Sequence, residues 1–451
     1  MATALGRNSK TYFVTQPVYE TAVAPTGADA VKMKSKVVFT ATQNAENRDD
    51  YHPSTRDIMD ETTLEESYAV TCTAYLLGAG TQGNAPDYDA GLQTMFATED
   101  IAATTVAASP APTVSAIKLT ANYMDAGDIG KIANTTGATT ENKYFTVVSK
   151  DGSDVLTIYP PLDTAPTATD VIKAVRNYTL EADNTNVITI HQSNNLTGQM
   201  GIGVKFNKCT IKVSKGATGE IQFEGFARDV IRSVHTTLNG AVTATDLTVA
   251  VFKKGIEAGA ILRITDAVNG DETVTVTSVD ATGLILTLSA GLGFLHPDEC
   301  VIGPYEPAAT TAGTPIRGLC GGVSMGDDGD FIKADESTIM VDEKTEPETY
   351  MGDCGKSKGI TNAQDREVSY ECLCYLDDNS VSQAVTAAAN SQLKTFQQSG
   401  ATDGRGFAAY LPLVQYDPAE IPDSKGEIIK TTFKSRVCLG SSGEDSIKLA
   451  F

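Results

Sequence analysis

The chain has no tryptophan, four histidines, and many fewer basic than acidic residues. Each shortage excludes something. His52, His191, His235 and His296 fall in no H-E-x-x-H or H-x-x-x-H frame, so the sequence does not predict a zinc enzyme. With 35 Lys and Arg against 57 Asp and Glu, the formal net charge is −22, which argues against a basic nucleic-acid-binding surface. No run of about 18 consecutive apolar residues occurs, so no membrane-spanning helix is expected. "MATALGRNSKTYFV" (Met1 to Val14) lacks the apolar stretch of a signal peptide. The eight cysteines are therefore expected to be reduced and packed as small hydrophobes.

What the chain does contain points to β structure. Hydrophobic residues make up 41% of 451 positions, enough for sizeable cores in more than one domain. Glycine (39 residues), threonine, alanine, valine and aspartate are abundant, and short turns separate alternating runs. In "SYAVTCTAYLL" (Ser67 to Leu77), Tyr68, Val70, Cys72, Ala74 and Leu76 share one face of an expected antiparallel strand.

Several catalytic signatures occur in part and fail on context. "GAGTQG" (Gly78 to Gly83) spells the dinucleotide fingerprint G-x-G-x-x-G. That motif needs its glycines to open directly into a helix. Here Asn84, Ala85 and Pro86 intervene, and the helix is expected over Asp87 to Phe96. The glycines thus read as a connection between strand and helix. "GDCGKS" (Gly352 to Ser357) ends like a phosphate-binding loop, but Tyr350 stands where its first glycine belongs. "GVSMG" (Gly322 to Gly326) spells a nucleophile elbow, yet no histidine lies downstream of Ser324. "GDDGD" (Gly326 to Asp330) lacks calcium-loop spacing. No catalytic, cofactor-binding or metal residue is expected, and no cofactor.

Internal similarity is the informative signal. "SYAVTCTAYLL" resembles "VSYECLCYLDD" (Val368 to Asp378), aligning Tyr75 with Tyr375. "SKGATGEIQFEGFARDV" (Ser214 to Val230) resembles "SKGEIIKTTFKSRV" (Ser424 to Val437), with Gly219-Glu220-Ile221 set against Gly426-Glu427-Ile428. A helix is expected between the paired stretches of each copy: Asp87 to Phe96 in the first, Val381 to Gln398 in the second. The spacings differ, so the first copy holds an extra segment. Ile117 to Arg176 supplies it, and resembles Leu247 to Tyr305: Ala126-Gly127 matches Ala258-Gly259, and "VLTIY" matches "ILTLS". Both read as small hairpin domains.

The order of strand, "GAGTQGNAPDYDAGLQTMF" (Gly78 to Phe96), long insertion and "NKCTIKVSKGATGEIQFEGFAR" (Asn207 to Arg228) resembles the major tail tube proteins of long, flexible-tailed bacteriophages. The resemblance covers most of Thr11 to Arg228 and, more loosely, Ile316 to Phe451. It implies a mainly β fold with two tandem tail-tube-like β-sandwich modules, each with a flanking helix. Residues 1–114 and 179–240 form the first, discontinuous module and 311–451 the second. Residues 115–178 form an inserted small β-domain, and 241–310 a second one that links the modules. The nested insertion and the linking domain depart from simple family members.

The implied function is structural rather than enzymatic. Homotrimers form pseudo-hexameric rings that stack into the virion tail tube, the conduit for DNA ejection. DNA passes through the lumen without specific binding, and lumen-facing carboxylates repel it. Partners are the chain itself and the tape measure, terminator and distal tail proteins; no membrane is involved. The implied place is the virion tail, assembled in the host cytoplasm. The polar stretch Gln43 to Glu66 corresponds to the family's inter-ring loop, with Arg48, Asp49, Asp50, Tyr51, Arg56, Asp57, Ile58, Met59 and Asp60 as contact residues. A baseplate, tail-tip or capsid-decorating protein that closes into an oligomer without stacking is the rival expectation.

Overall fold

A computed structural model describes all residues except 1–8, 49–59, 122–123, 134–141, 169, 182, 195, 311–312, 319–320, 327–328, 350–355, 363, 389–391, 401–405, 419–428 and 440–445. Among the described residues the fold is mainly β, with antiparallel sheets, two short α-helices and a largest sheet of 17 strands. Its central run reads, from one edge, Met33–Arg48, Asp60–Tyr75, Glu220–Ala227, Thr197–Ser214, Ala334–Asp342, Glu367–Tyr375 and Lys430–Leu439. Strands 10–16 and 187–193 continue from the first half of Thr197–Ser214. Gly321–Met325 and Gln392–Ser399 continue likewise from Phe407–Tyr416.

Period-two sequence makes these strands. In Glu367–Tyr375, Val368, Tyr370, Cys372 and Cys374 are buried, while Glu367 and Glu371 face water. The buried faces meet in one core. Phe206 and Phe223 stack there with centroids 4.8 Å apart, and Phe13 tilts against Phe206 at 5.8 Å. Burying each such side chain contributes about 1.5–3 kcal/mol. The solvated face interleaves Lys208, Lys212, Lys430 and Lys434 with Glu220, Glu224, Glu336 and Glu371. Lys212 lies 2.6 Å from Glu336, and Lys208 3.4 Å from Glu224.

The helices are shorter than expected. Helix α1 spans Asp89–Gln93, and Phe96 already opens the strand Phe96–Ile101, which pairs with Val175–Leu180. Helix α2 spans Asp378–Ala388 rather than Val381 to Gln398. Gln392–Ser399 is instead a strand between two neighbours, paired with Phe407–Tyr416 and Gly321–Met325. Leu393, Thr395, Phe396, Gln397 and Ser399 are all buried there, so both faces are covered and the period of two is hidden.

Two six-stranded sheets lie outside the large one, built from strands of Thr104–Lys173 and of Thr236–Pro304. Each has a left-handed glycine before its first long strand: Gly127 (φ +94) and Gly259 (φ +89). Their N–H groups donate to the carbonyls of Val147 and Val276, both at 2.7 Å. The first of these sheets packs on the large one through Ile129, Tyr144 and Tyr159 against Phe396 and Tyr410. Among the described residues no helix is long and apolar enough to cross a membrane.

Candidate functional site

The sequence-selected motifs are structural in their surroundings. The glycines of Gly78–Gly83 do not precede a helix that could hold a phosphate. Gly80 and Gly83 take φ of +80 and +81, and a Cβ on Gly83 falls 2.5 Å from that of Ala174. Helix α1 starts at Asp89 after a Tyr88 cap, past the glycines and past Pro86. The adjoining cavity, of about 310 Å³, has Asp29, Asp87 and Asp89 as its charged lining. Burial raises the Asp87 carboxyl to about 6. Three carboxyl groups disfavour a pyrophosphate there. Ser324 lies in a strand rather than at an elbow, fully buried, with its Oγ 2.9 Å from the Tyr159 hydroxyl.

The contact residues expected at the hairpin tip are only partly placed. Arg48 and Asp60 end the two strands of the hairpin and stand opposite each other. Asp49, Asp50, Tyr51, Arg56, Asp57, Ile58 and Met59 lie outside the described residues. The hairpin is long: Asp60–Tyr75 pairs with Glu220–Ala227 only from Tyr68 onward, while its pairing with Met33–Arg48 runs on to Asp60.

Two places along the large sheet bear on how it could be extended, one closed and one open. At one, Lys208–Ser214 pairs residue by residue with Asp342–Glu336 and joins the two halves of the sheet. At the other, among the described residues, the outer side of Met33–Arg48 has no partner strand. Lys34, Ser35, Lys36, Thr40 and Ala41 are exposed there, and Val38 is 42% exposed. Native sheets rarely leave such an edge uncovered, because its N–H and C=O groups are ready to bond another strand.

Two buried polar clusters complete the inventory. Lys205 Nζ is fully buried, 3.3 Å from the Glu343 carboxylate, and donates to the carbonyls of Thr94 and Asn184. Burial raises Glu343 to about 7 and lowers Lys205. This pair sits where the halves of the sheet join. Separately, His296 is fully buried between Asp266 and Glu272, with Cys300 beside them. The local signals are the spacing His296-x-x-x-Cys300 and the two carboxylates that flank one hairpin turn, Asp266 and Glu272. No family model matches the chain, and no curated protein matches it.

Proposed function

We propose that the chain is a structural subunit that joins copies of itself edge to edge into rings, and that these rings stack into a phage tail tube. One observation carries this reading: the two halves of the large sheet repeat one strand register. Val38 opposes Thr71 as Thr338 opposes Glu371. Cys72 opposes Phe223 as Cys372 opposes Phe433. Phe206 opposes Gly225 as Tyr416 opposes Ser435. Each half also has its helix directly after the second of these strands. This register sets Glu220 against Lys430, three residues beyond the sequence match of Glu220 to Glu427.

In that correspondence the open edge 36–41 is the counterpart of 336–341, which is covered by the strand Thr197–Ser214. A neighbouring copy can cover the open edge as one half covers the other. The contact is heterologous, and copies close into rings where its rotation returns to the start. Charge sets its direction. The internal joint matches Lys212 with Glu336; at the open edge Ser35 holds the place of Glu336, opposite Thr73 as Glu336 is opposite Leu373, and the exposed Lys34 and Lys36 flank it. The sequence stretch corresponding to "KCTIKVS" (Lys208 to Ser214) is "PAEIPDS" (Pro418 to Ser424), which has two carboxylates and no lysine. We propose that this basic edge takes an acidic segment of the neighbouring copy.

The solvated face bears on the lumen. Its lysines and carboxylates alternate, so the repulsion of DNA expected from carboxylates alone gives way to a balanced wall. The test is sedimentation over a concentration series with negative-stain microscopy. Wild-type protein forms stacked rings. The double variant Lys36→Glu, Val38→Lys keeps its circular dichroism and stays a single chain. Wild type that remains monomeric at every concentration, or a variant that assembles normally, overturns the reading. Closed rings that never stack favour a baseplate or decoration protein instead.

A further inference from the structure

We propose that His296, Asp266 and Cys300 form a structural zinc site in the sheet of Thr236–Pro304. The ligand atoms of these three residues all lie within 4.8 Å of one another. Tetrahedral zinc with N, O and S ligands needs ligand separations of roughly 3.4–3.6 Å. The His296 Nδ1 to Asp266 Oδ2 distance is 3.3 Å. A mixed imidazole, carboxylate and thiolate set matches a borderline d10 cation better than calcium or magnesium.

The hydrogen bonds of the ring supply the second argument. Glu272 Oε2 lies 3.2 Å from His296 Nε2, and its Oε1 accepts the Gly293 N–H at 2.5 Å. Glu272 offers only acceptors, so we assign the ring proton to Nε2. The Nδ1 lone pair then faces Asp266. That carboxylate accepts the backbone N–H groups of Val268 and Asn269 on one oxygen and the Asn269 side-chain amide on the other. It has donors enough and no proton to offer. A lone pair pointing at a buried carboxylate is repulsive unless a metal ion or a second ring proton lies between them, and zinc is the occupant proposed here. A zinc-bound histidine whose other nitrogen donates to a carboxylate is the usual arrangement around that metal.

The backbone holds the group ready. His296 exchanges both of its backbone bonds with Val242, and the Cys300 carbonyl accepts the Leu238 N–H. Asp266 and Glu272 flank the turn that joins the hairpin strands Ile261–Thr265 and Glu272–Val279. Zinc would tie that hairpin to the return strand Val301–Pro304. On binding, the Cys300 thiol passes its proton to solvent, and a water takes the fourth position. Cys300 is only half-buried, which gives the ion a way in.

The experiment uses the full chain, stripped with EDTA and titrated with Zn²⁺ against a chromophoric chelator. One equivalent is expected to bind and to raise the unfolding temperature. Co²⁺ in its place gives a thiolate-to-metal absorption band. Cys300→Ser, a conservative change at a half-buried position, abolishes both band and uptake. Glu272→Gln weakens uptake 10- to 100-fold. No uptake, or uptake equal in wild type and Cys300→Ser, overturns the site. So does an NMR spectrum showing both His296 ring nitrogens protonated in saturating zinc, since the ring is then an imidazolium between two carboxylates.

Discussion

Lys205 and Glu343 face each other 3.3 Å apart with both side chains almost fully out of water. Neither Glu343 oxygen has a hydrogen-bond partner, whereas Lys205 has two carbonyl acceptors. The lysine is therefore better served than the carboxylate. Glu343→Ala leaves a buried cation without its counter-ion and is expected to cost about 3–5 kcal/mol. Lys205→Met paired with Glu343→Leu is expected to fall within about 1 kcal/mol of wild type or above it. Urea unfolding of both singles and the double checks this. Additive losses show that the two residues do not act as a pair.

The imidazole of His191 gives the fold an acid-sensitive component. Its Nε2 lies 2.7 Å from the Val23 carbonyl, and burial lowers its pKa from 6.5 to about 4. The unfolded chain takes up this proton at a higher pH than the folded one. Its contribution is thus complete above about pH 6.5 and is lost as pH falls towards 4. Between about pH 7 and 5 the loss is on the order of 2 kcal/mol. Asp87 and Glu343, both raised by burial, pull the other way in this window. The comparison that isolates the histidine is His191→Gln against wild type. The variant is expected to lose less stability on acidification, and equal losses exclude the histidine as the cause.

Gly83 tests the reading of the glycine stretch. A Cβ there meets Ala174 at 2.5 Å, on a backbone with φ +81. Gly83→Ala is expected to cost about 1–3 kcal/mol in thermal unfolding. Calorimetry of wild type with NAD(H) is expected to give no heat of binding. Measurable affinity restores the nucleotide-binding interpretation.

On the proposed reading, the segment between Arg48 and Asp60 serves stacking and not ring closure. Removing residues 49–59 and bridging Arg48 to Asp60 with a two-residue turn leaves the open edge at 36–41 intact. Single rings that do not polymerise are expected by electron microscopy. Normal tubes from the shortened chain move the stacking contact elsewhere.

The strand content was legible because one-sided strands announce themselves. Ser67 to Tyr75 alternates in sequence, and alternates in burial. The end of the second helix was not legible. Leu393 and Phe396 are three apart, as on a helix, but they point to opposite faces of a strand covered on both sides. Phe96 likewise reads as the close of a helix and instead opens a strand, because pairing with Val175–Leu180 overrides a weak helical preference. The open edge cannot be read from sequence, since an edge is defined by a missing neighbour. The histidine cluster is hidden for another reason: Asp266, Glu272, His296 and Cys300 meet only when three strands fold together.

The interleaving of lysine and glutamate on the solvated face sets how far its field reaches. Neighbouring strands lie about 4.8 Å apart, so opposite charges alternate within roughly that distance. The Debye length in physiological salt is about 8 Å. Plus and minus therefore cancel before a counter-ion cloud has to form. On the proposed reading, a polyanion farther off than that feels little of these paired charges, so any salt dependence of its passage comes from the chain's net charge of −22 and not from the interleaved pattern.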